Sequence, residues 1–183
     1  MKWNVPNILT LLRIVLIPLF VAFRYMPLVN WNVWAAVIFI AAAVTDWADG
    51  YLARRWNQVT TFGKLWDPTA DKLLVTAALL MLMDLQKIGM IVTLILIGRE
   101  LLIGAVRQVA ASKGVIMAAD KSGKLKTVVQ FVAIVVLLLD NWPFTWTDLD
   151  VGLVLIWVSA ALSVYSALEY MIRNKAVFDD KED

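Results

Sequence analysis

The sequence predicts an all-α, polytopic membrane protein: about six transmembrane helices with an active site at their cytoplasmic ends. Three observations predict it. Of 183 residues, 61% are hydrophobic and the mean hydropathy is +0.74, whereas soluble globular chains are roughly 45–50% apolar. Charge-free apolar runs recur at Ile14–Phe23, Tyr25–Thr45, Leu73–Met83, Ile88–Gly98, Thr127–Leu139 and Val151–Leu168. None of these runs alternates apolar and polar residues as barrel strands do. Six spans of about 20 residues use ~120 residues and leave about a third of the chain for connections. Residues 1–183 therefore read as one membrane domain, with no room for a soluble one.

Element by element, the spacing predicts helices over 7–26, 31–51, 65–84, 88–110, 125–140 and 150–171. The first run resembles a signal peptide only in length: its flank has one Lys, Arg13 and Pro18 interrupt it, and no small-x-small cleavage site follows. Turn residues separate the helices: Met26-Pro27 with Asn30 and Asn32, Gln58 to Gly63, Lys113-Gly114 and Asn141-Trp142-Pro143. Several runs are shorter than the roughly 17–25 residues of a span, so charged residues must lie inside the bilayer at one end.

Orientation follows from the basic residues. One side holds Lys2, Arg54, Arg55, Lys64, Lys113, Lys121, Arg173, Lys175 and Lys181. The other holds Arg24 and Lys87 with Asp140, Asp148 and Asp150. The positive-inside rule places both termini in the cytoplasm of a multi-pass protein of the cell membrane. Trp31, Trp34, Trp142 and Trp146 fall at the outer ends and Trp3, Trp47, Trp56 and Trp66 near the inner ends, as interfacial belts. Residues 174–183 form a short acidic tail read as a solvated end. The net charge, +2 from 17 Lys and Arg against 15 Asp and Glu, gives no basis for binding nucleic acid.

The chain has no Cys and no His, which excludes thiolate nucleophiles and imidazole bases. A general base must be a carboxylate, amine or phenol, and a bound metal must take oxygen ligands. The intramembrane charges then become informative. Asp46 and Asp49 end the second span, and Asp67 and Asp71 open the third. Arg99 and Arg107 lie in the cytoplasmic half of the fourth, while Lys124 and Lys126 open the fifth. Asp46, Asp49, Gly50, Ala53 and Arg54 fall at i, i+3, i+4, i+7 and i+8 on one helix face, and Gly63, Asp67 and Asp71 at i, i+4 and i+8 on another. Four carboxylates near hydrocarbon resist ionisation. Two divalent ions balance them, and oxygen-only ligation suggests Mg2+ or Mn2+. Pairing of each Asp with a nearby Arg or Lys is the simpler alternative, but it explains neither the stacked spacing nor the interleaved Gly and Ala.

The stretch Asp46-Trp47-Ala48-Asp49-Gly50-Tyr51-Leu52-Ala53-Arg54, eight further residues, then Gly63-Lys64-Leu65-Trp66-Asp67-Pro68-Thr69-Ala70-Asp71 resembles the signature of the CDP-alcohol phosphotransferase family. Residues 46–71 match it without a departure. Asn4 to Arg13, Gly98-Arg99-Glu100 and Gly123 to Thr127 are similar to its phosphatidylglycerophosphate synthase branch. The resemblance implies a six-helix membrane enzyme, usually a homodimer, that transfers the phosphatidyl group of CDP-diacylglycerol to an alcohol and releases CMP. It implies that Asp46, Asp49 and Asp67 bind two divalent ions, and that Asp71 is the base and touches a metal. It also implies that Gly50, Ala53, Arg54 and Gly63, with Asn7 and Thr10 nearby, hold the CDP-lipid.

The basic group of Arg99, Arg107, Lys124 and Lys126 suits an acceptor bearing its own phosphate, such as glycerol 3-phosphate, although basic residues also collect on the inner side for topological reasons. Inositol phosphate, serine and phosphatidylglycerol are the other acceptors within the family, and the role of Glu100 stays open. A cation channel or transporter is the alternative from another class; its charges would sit nearer the midplane of repeated halves, and no repeat is present.

Overall fold

The computed structural model describes residues 5–55, 61–112 and 121–174. Within these, the side chains of 5–7, 9, 10, 46–55, 61–68, 71 and 121–124 fall outside the description. Six α-helices occupy the described residues: α1 Val5–Phe23, α2 Trp31–Arg55, α3 Thr61–Asp84, α4 Met90–Ser112, α5 Lys121–Leu138 and α6 Val151–Arg173. All six predicted helices are present, with ends displaced by up to four residues. Gly63, expected in a turn, lies in the first turn of α3. Lys113-Gly114, Gln58 and the acidic tail from 175 lie outside the described residues.

Contacts between side chains fix an up-and-down order. Phe20 of α1 meets Phe39 of α2 with ring centroids 6.0 Å apart, and Phe39 stacks on Phe131 of α5 at 5.0 Å. Gly152 opens α6 against α5, where an added Cβ would lie 2.7 Å from Leu137 Cγ; only glycine lets the two helices approach so closely. Ala35, Ala36, Ala42, Ala78, Ala133 and Ala160 are buried among the larger Phe20, Leu74, Leu79, Leu96 and Ile134. Small residues at the crossings bring the helix backbones near one another.

The loops stop the helices by a device not obvious in the sequence. Gln86 takes a left-handed φ of 58° and Asp140 one of 55°. Lys87 N donates to Leu82 O and Gln86 N to Met83 O, at 3.0 and 2.9 Å; Asn141 N donates to Val136 O and Asp140 N to Leu137 O, at 2.9 and 3.3 Å. Both are Schellman closures built without glycine. Asp150 then caps α6 by accepting from Leu153 N at 2.8 Å.

The outward faces are apolar. Val15, Val44, Leu73, Ile91, Leu94, Leu101, Leu102, Val128, Leu168 and Ile172 are all more than half exposed. A soluble monomer rarely exposes contiguous apolar surface on this scale. Helix α6 is long and apolar enough to cross a membrane, and Leu11–Phe23, Trp31–Thr45 and Leu125–Leu138 are shorter apolar stretches.

Candidate active site

The up-and-down order brings one end of every helix to the same end of the bundle. There α1 carries Asn7 and Thr10 in its first turns, α2 carries Asp46, Asp49, Gly50, Ala53 and Arg54 in its last, and α3 carries Gly63, Asp67 and Asp71 in its first. Unbroken helical backbone through each segment preserves the one-face registers. For these residues the structure describes the backbone only. The described side chains hold no cluster of three carboxylates able to bind a metal. The donor set on the two helix ends is all carboxylate, which fits a hard divalent cation.

Arg13, a residue to which the sequence analysis assigned no role, is buried completely in α1 and donates through Nε to Ala42 O at 3.3 Å. Ala42 is one turn before Asp46, so a buried guanidinium stands beside the helix that carries two of the carboxylates. Its signal was visible in the sequence, since a cation inside an apolar run is a functional candidate by default.

Four basic residues were expected to gather beside the carboxylates. Lys126 of α5 is 2% exposed and donates Nζ to Glu100 Oε1 of α4. Arg99 Nη1 donates to the same oxygen at 2.9 Å. The Arg99 guanidinium also reaches α6, with Nε to Ser163 O at 3.3 Å and Nη2 to Ser166 Oγ at 2.8 Å. Arg107, two turns on, lies over the Tyr170 ring at 5.4 Å and donates to its hydroxyl at 3.2 Å. The structure thus joins Arg99 and Lys126 through Glu100 and turns Arg107 toward α6. Lys124 is on the first turn of α5, its side chain outside the description.

Beside Glu100 and Lys126 a cavity of about 60 Å³ opens between α3, α4 and α5, its polar lining drawn from Lys72, Thr76, Glu100, Lys126, Thr127 and Gln130. Lys72 and Gln130 carried no expectation from the sequence.

Set against known proteins, residues 3–165 match the family model of the CDP-alcohol phosphatidyltransferases. The chain is 38% identical, over 94% of its length and 95% of the relative's, to a Bacillus subtilis (strain 168) CDP-diacylglycerol–glycerol-3-phosphate 3-phosphatidyltransferase. Proteins of that name from Escherichia coli (strain K12) and Shigella flexneri serotype 5b are 43% and 44% identical, each over 96% of this chain and 97% of the relative.

Proposed function

The chain belongs to the CDP-alcohol phosphatidyltransferase family, and from that premise we propose that it transfers the phosphatidyl group of CDP-diacylglycerol to sn-glycerol 3-phosphate, giving phosphatidylglycerol phosphate and CMP. The observation that carries the proposal is the 38–44% identity over nearly the full length to relatives bearing that activity in their names, on a chain in which Asp46, Asp49, Gly50, Ala53, Arg54, Gly63, Asp67 and Asp71 all stand at the positions of the signature.

The bundle lies in the cell membrane as six spans with both termini in the cytoplasm, and residues 1–183 act as one domain. The exposed apolar faces support immersion. The signature end lies at the cytoplasmic surface, where a water-soluble nucleotide and lipid tails can both be accommodated.

Asp46, Asp49, Asp67 and Asp71 hold two divalent ions, Mg2+ or Mn2+, which when bound neutralise the diphosphate oxygens. Gly50, Ala53 and Gly63 leave room for the CDP moiety near Asn7 and Thr10, and Arg54 binds diphosphate oxygens through a bidentate guanidinium. Asp71 takes the proton of the acceptor hydroxyl, since without histidine or cysteine a carboxylate is the available base. The acceptor oxygen then bonds to the phosphatidyl phosphorus as the bond to CMP breaks. Lys124 and Lys126 meet the acceptor's phosphate. Arg99 uses three of the five N–H donors of a guanidinium on Glu100 and α6, and the remaining donors with Arg107 complete the basic wall. A homodimer is the expected assembly.

Purified protein incubated with CDP-diacylglycerol, Mg2+ and each alcohol in turn tests the proposal. CMP release with glycerol 3-phosphate is expected. Release with serine or inositol phosphate but not with glycerol 3-phosphate overturns the acceptor.

A further inference from the structure

A second cavity, of about 240 Å³, lies at the end of the bundle away from the signature, between the close of α1 and the close of α3. Ala77, Leu80, Met81 and Asp84 line it from α3 at i, i+3, i+4 and i+7, a single helix face. Val21 and Arg24 line it from α1, where Arg24 extends the helix by donating its backbone N–H to Val21 O at 3.2 Å. Three features separate this cavity from an ordinary gap between helices.

The first is an underused cation. A guanidinium carries five N–H donors, yet among the described residues the one charged partner of Arg24 is Asp84, with Nε 3.5 Å from Oδ2. That Nε is buried and has no hydrogen-bond partner, and a buried donor left unmet is costly. Lys87, the other basic residue at this end, instead donates to both Leu137 O and Asp140 Oδ1. The second is aromatic backing. The Arg24 guanidinium lies 5.5 Å from the Trp31 ring centroid and 6.0 Å from that of Tyr25. Such contacts engage the face of a guanidinium and leave its edge, which carries the N–H donors, free to bind a planar or tetrahedral anion. The third is the setting. Leu80 is 46% exposed and Tyr25 75%, so the cavity opens on the outward apolar face, at the level where aromatic residues mark the meeting of headgroups and acyl chains.

We propose, on the reading of the bundle as immersed in a membrane, that this cavity binds a phospholipid whose headgroup carries a primary ammonium. The lipid phosphate accepts from the Arg24 guanidinium, the ammonium donates to Asp84, and an acyl chain lies over Ala77, Leu80 and Met81. The charge pattern selects this ligand. Arg24 beside Asp84 offers one positive and one negative group, and a headgroup with a phosphate and an ammonium answers both. A purely anionic headgroup would bring a second negative charge toward Asp84, and a quaternary ammonium has no N–H to donate. The site is separate from that of the CDP-lipid headgroup: Thr10 and Arg24 are 14 residues apart, which at ~1.5 Å per residue puts them about 21 Å apart along the bundle. A lipid seated here would tie the close of α1 to that of α3.

The test uses the full chain, purified in detergent and stripped of phospholipid, with thermal unfolding and native mass spectrometry as two readouts. Phosphatidylethanolamine, phosphatidylcholine and phosphatidylglycerol of one acyl composition are added in turn. Phosphatidylethanolamine near saturation is expected to raise Tm by about 5 °C or more and to persist as a single-lipid adduct, with smaller shifts from the other two. Arg24→Met and Ala77→Phe, which removes the cation in one case and fills the apolar floor in the other, should each abolish the adduct and the shift. Asp84→Asn should abolish the preference for phosphatidylethanolamine over phosphatidylcholine. KM for CDP-diacylglycerol should stay within about twofold in all three variants. Equal shifts by the three lipids in the wild type overturn the site, and so does an adduct that survives in both Arg24→Met and Ala77→Phe. A raised KM for CDP-diacylglycerol in Arg24→Met overturns it as well, since the cavity would then belong to the donor lipid. Disulfide cross-linking of Leu80→Cys between two lipid-free chains would show that a second copy covers the cavity, with the same consequence. A chain that stays in solution without detergent removes the membrane reading itself, whereas a detergent-requiring chain with no lipid preference removes only the site.

Discussion

The two ends of the bundle handle charge in opposite ways. At the end away from the signature, exposed charged groups pair across the loops. Lys87 Nζ pairs with Asp140 Oδ1 at 2.6 Å, Asn32 donates to Asp140 Oδ2 at 2.6 Å, and Arg24 meets Asp84 at 3.5 Å. Asn141 accepts from Gly152 N at 2.7 Å and donates to Asp150 at 2.9 Å. Nearly every group there closes a helix end or ties one loop to another. At the signature end, among the described side chains, Arg99 and Lys126 share Glu100 Oε1 between α4 and α5, while Arg99 and Arg107 reach across to α6. The far end ties loops to one another, whereas the signature end ties α4 to α5 and α6 through buried side chains.

Breaking the signature end should have the largest effect. Asp71→Asn keeps the shape of the side chain and removes the base, so turnover should fall about 10²–10⁴-fold, the usual span for general-base catalysis, with KM for CDP-diacylglycerol little altered. Near-wild-type turnover would refute the base assignment. Asp46→Asn should instead raise the Mg2+ concentration needed for half-maximal rate, which a metal titration reads directly.

How far the sequence reached differs between these ends as well. The six helices were legible because long apolar runs carry their own signal, and the carboxylate registers were legible because helical spacing is a local property. The loop closures at Gln86 and Asp140 were not, because a left-handed residue other than glycine leaves no compositional mark. Nor were Lys72 and Gln130: each is unremarked on its own helix and comes to line one cavity only when α3, α4 and α5 are packed together. Arg99 and Arg107 were read from depth alone. Depth placed them toward the signature end of α4, but the face they present to α6 depends on the rotation of α4, which the sequence pattern leaves undetermined.

Glu100 is the group that joins α4 to α5 at the signature end. Glu100→Ala leaves the buried Lys126 ammonium short of a carboxylate. Removing one partner of a fully buried pair costs ~3–5 kcal/mol; with the Glu100 side chain 31% exposed, a loss of about 2–3 kcal/mol is expected, read by denaturant unfolding in detergent. No change in stability would mean that other groups hold Lys126. Next in size is Gly152→Ala, which forces a methyl against Leu137 at 2.7 Å. Overpacking of this kind costs ~1–3 kcal/mol, and it should lower Tm without shifting either KM, since the crossing is remote from the signature end.

Lys87→Met should have the smallest effect, and it sharpens the contrast most. Asp140 is 62% exposed beside Lys87, so solvent screens the pair and its contribution is ~0–1 kcal/mol. Asp140 also keeps its bond from Asn32, and the Schellman closure that shapes the turn uses backbone groups only. The variant should therefore retain wild-type turnover and KM values, with at most a small fall in Tm. A catalytic defect in Lys87→Met, measured against Asp71→Asn in the same assay, would mean that charge at the far end is coupled to the site across the length of the bundle, and the division of labour between the two ends would fail.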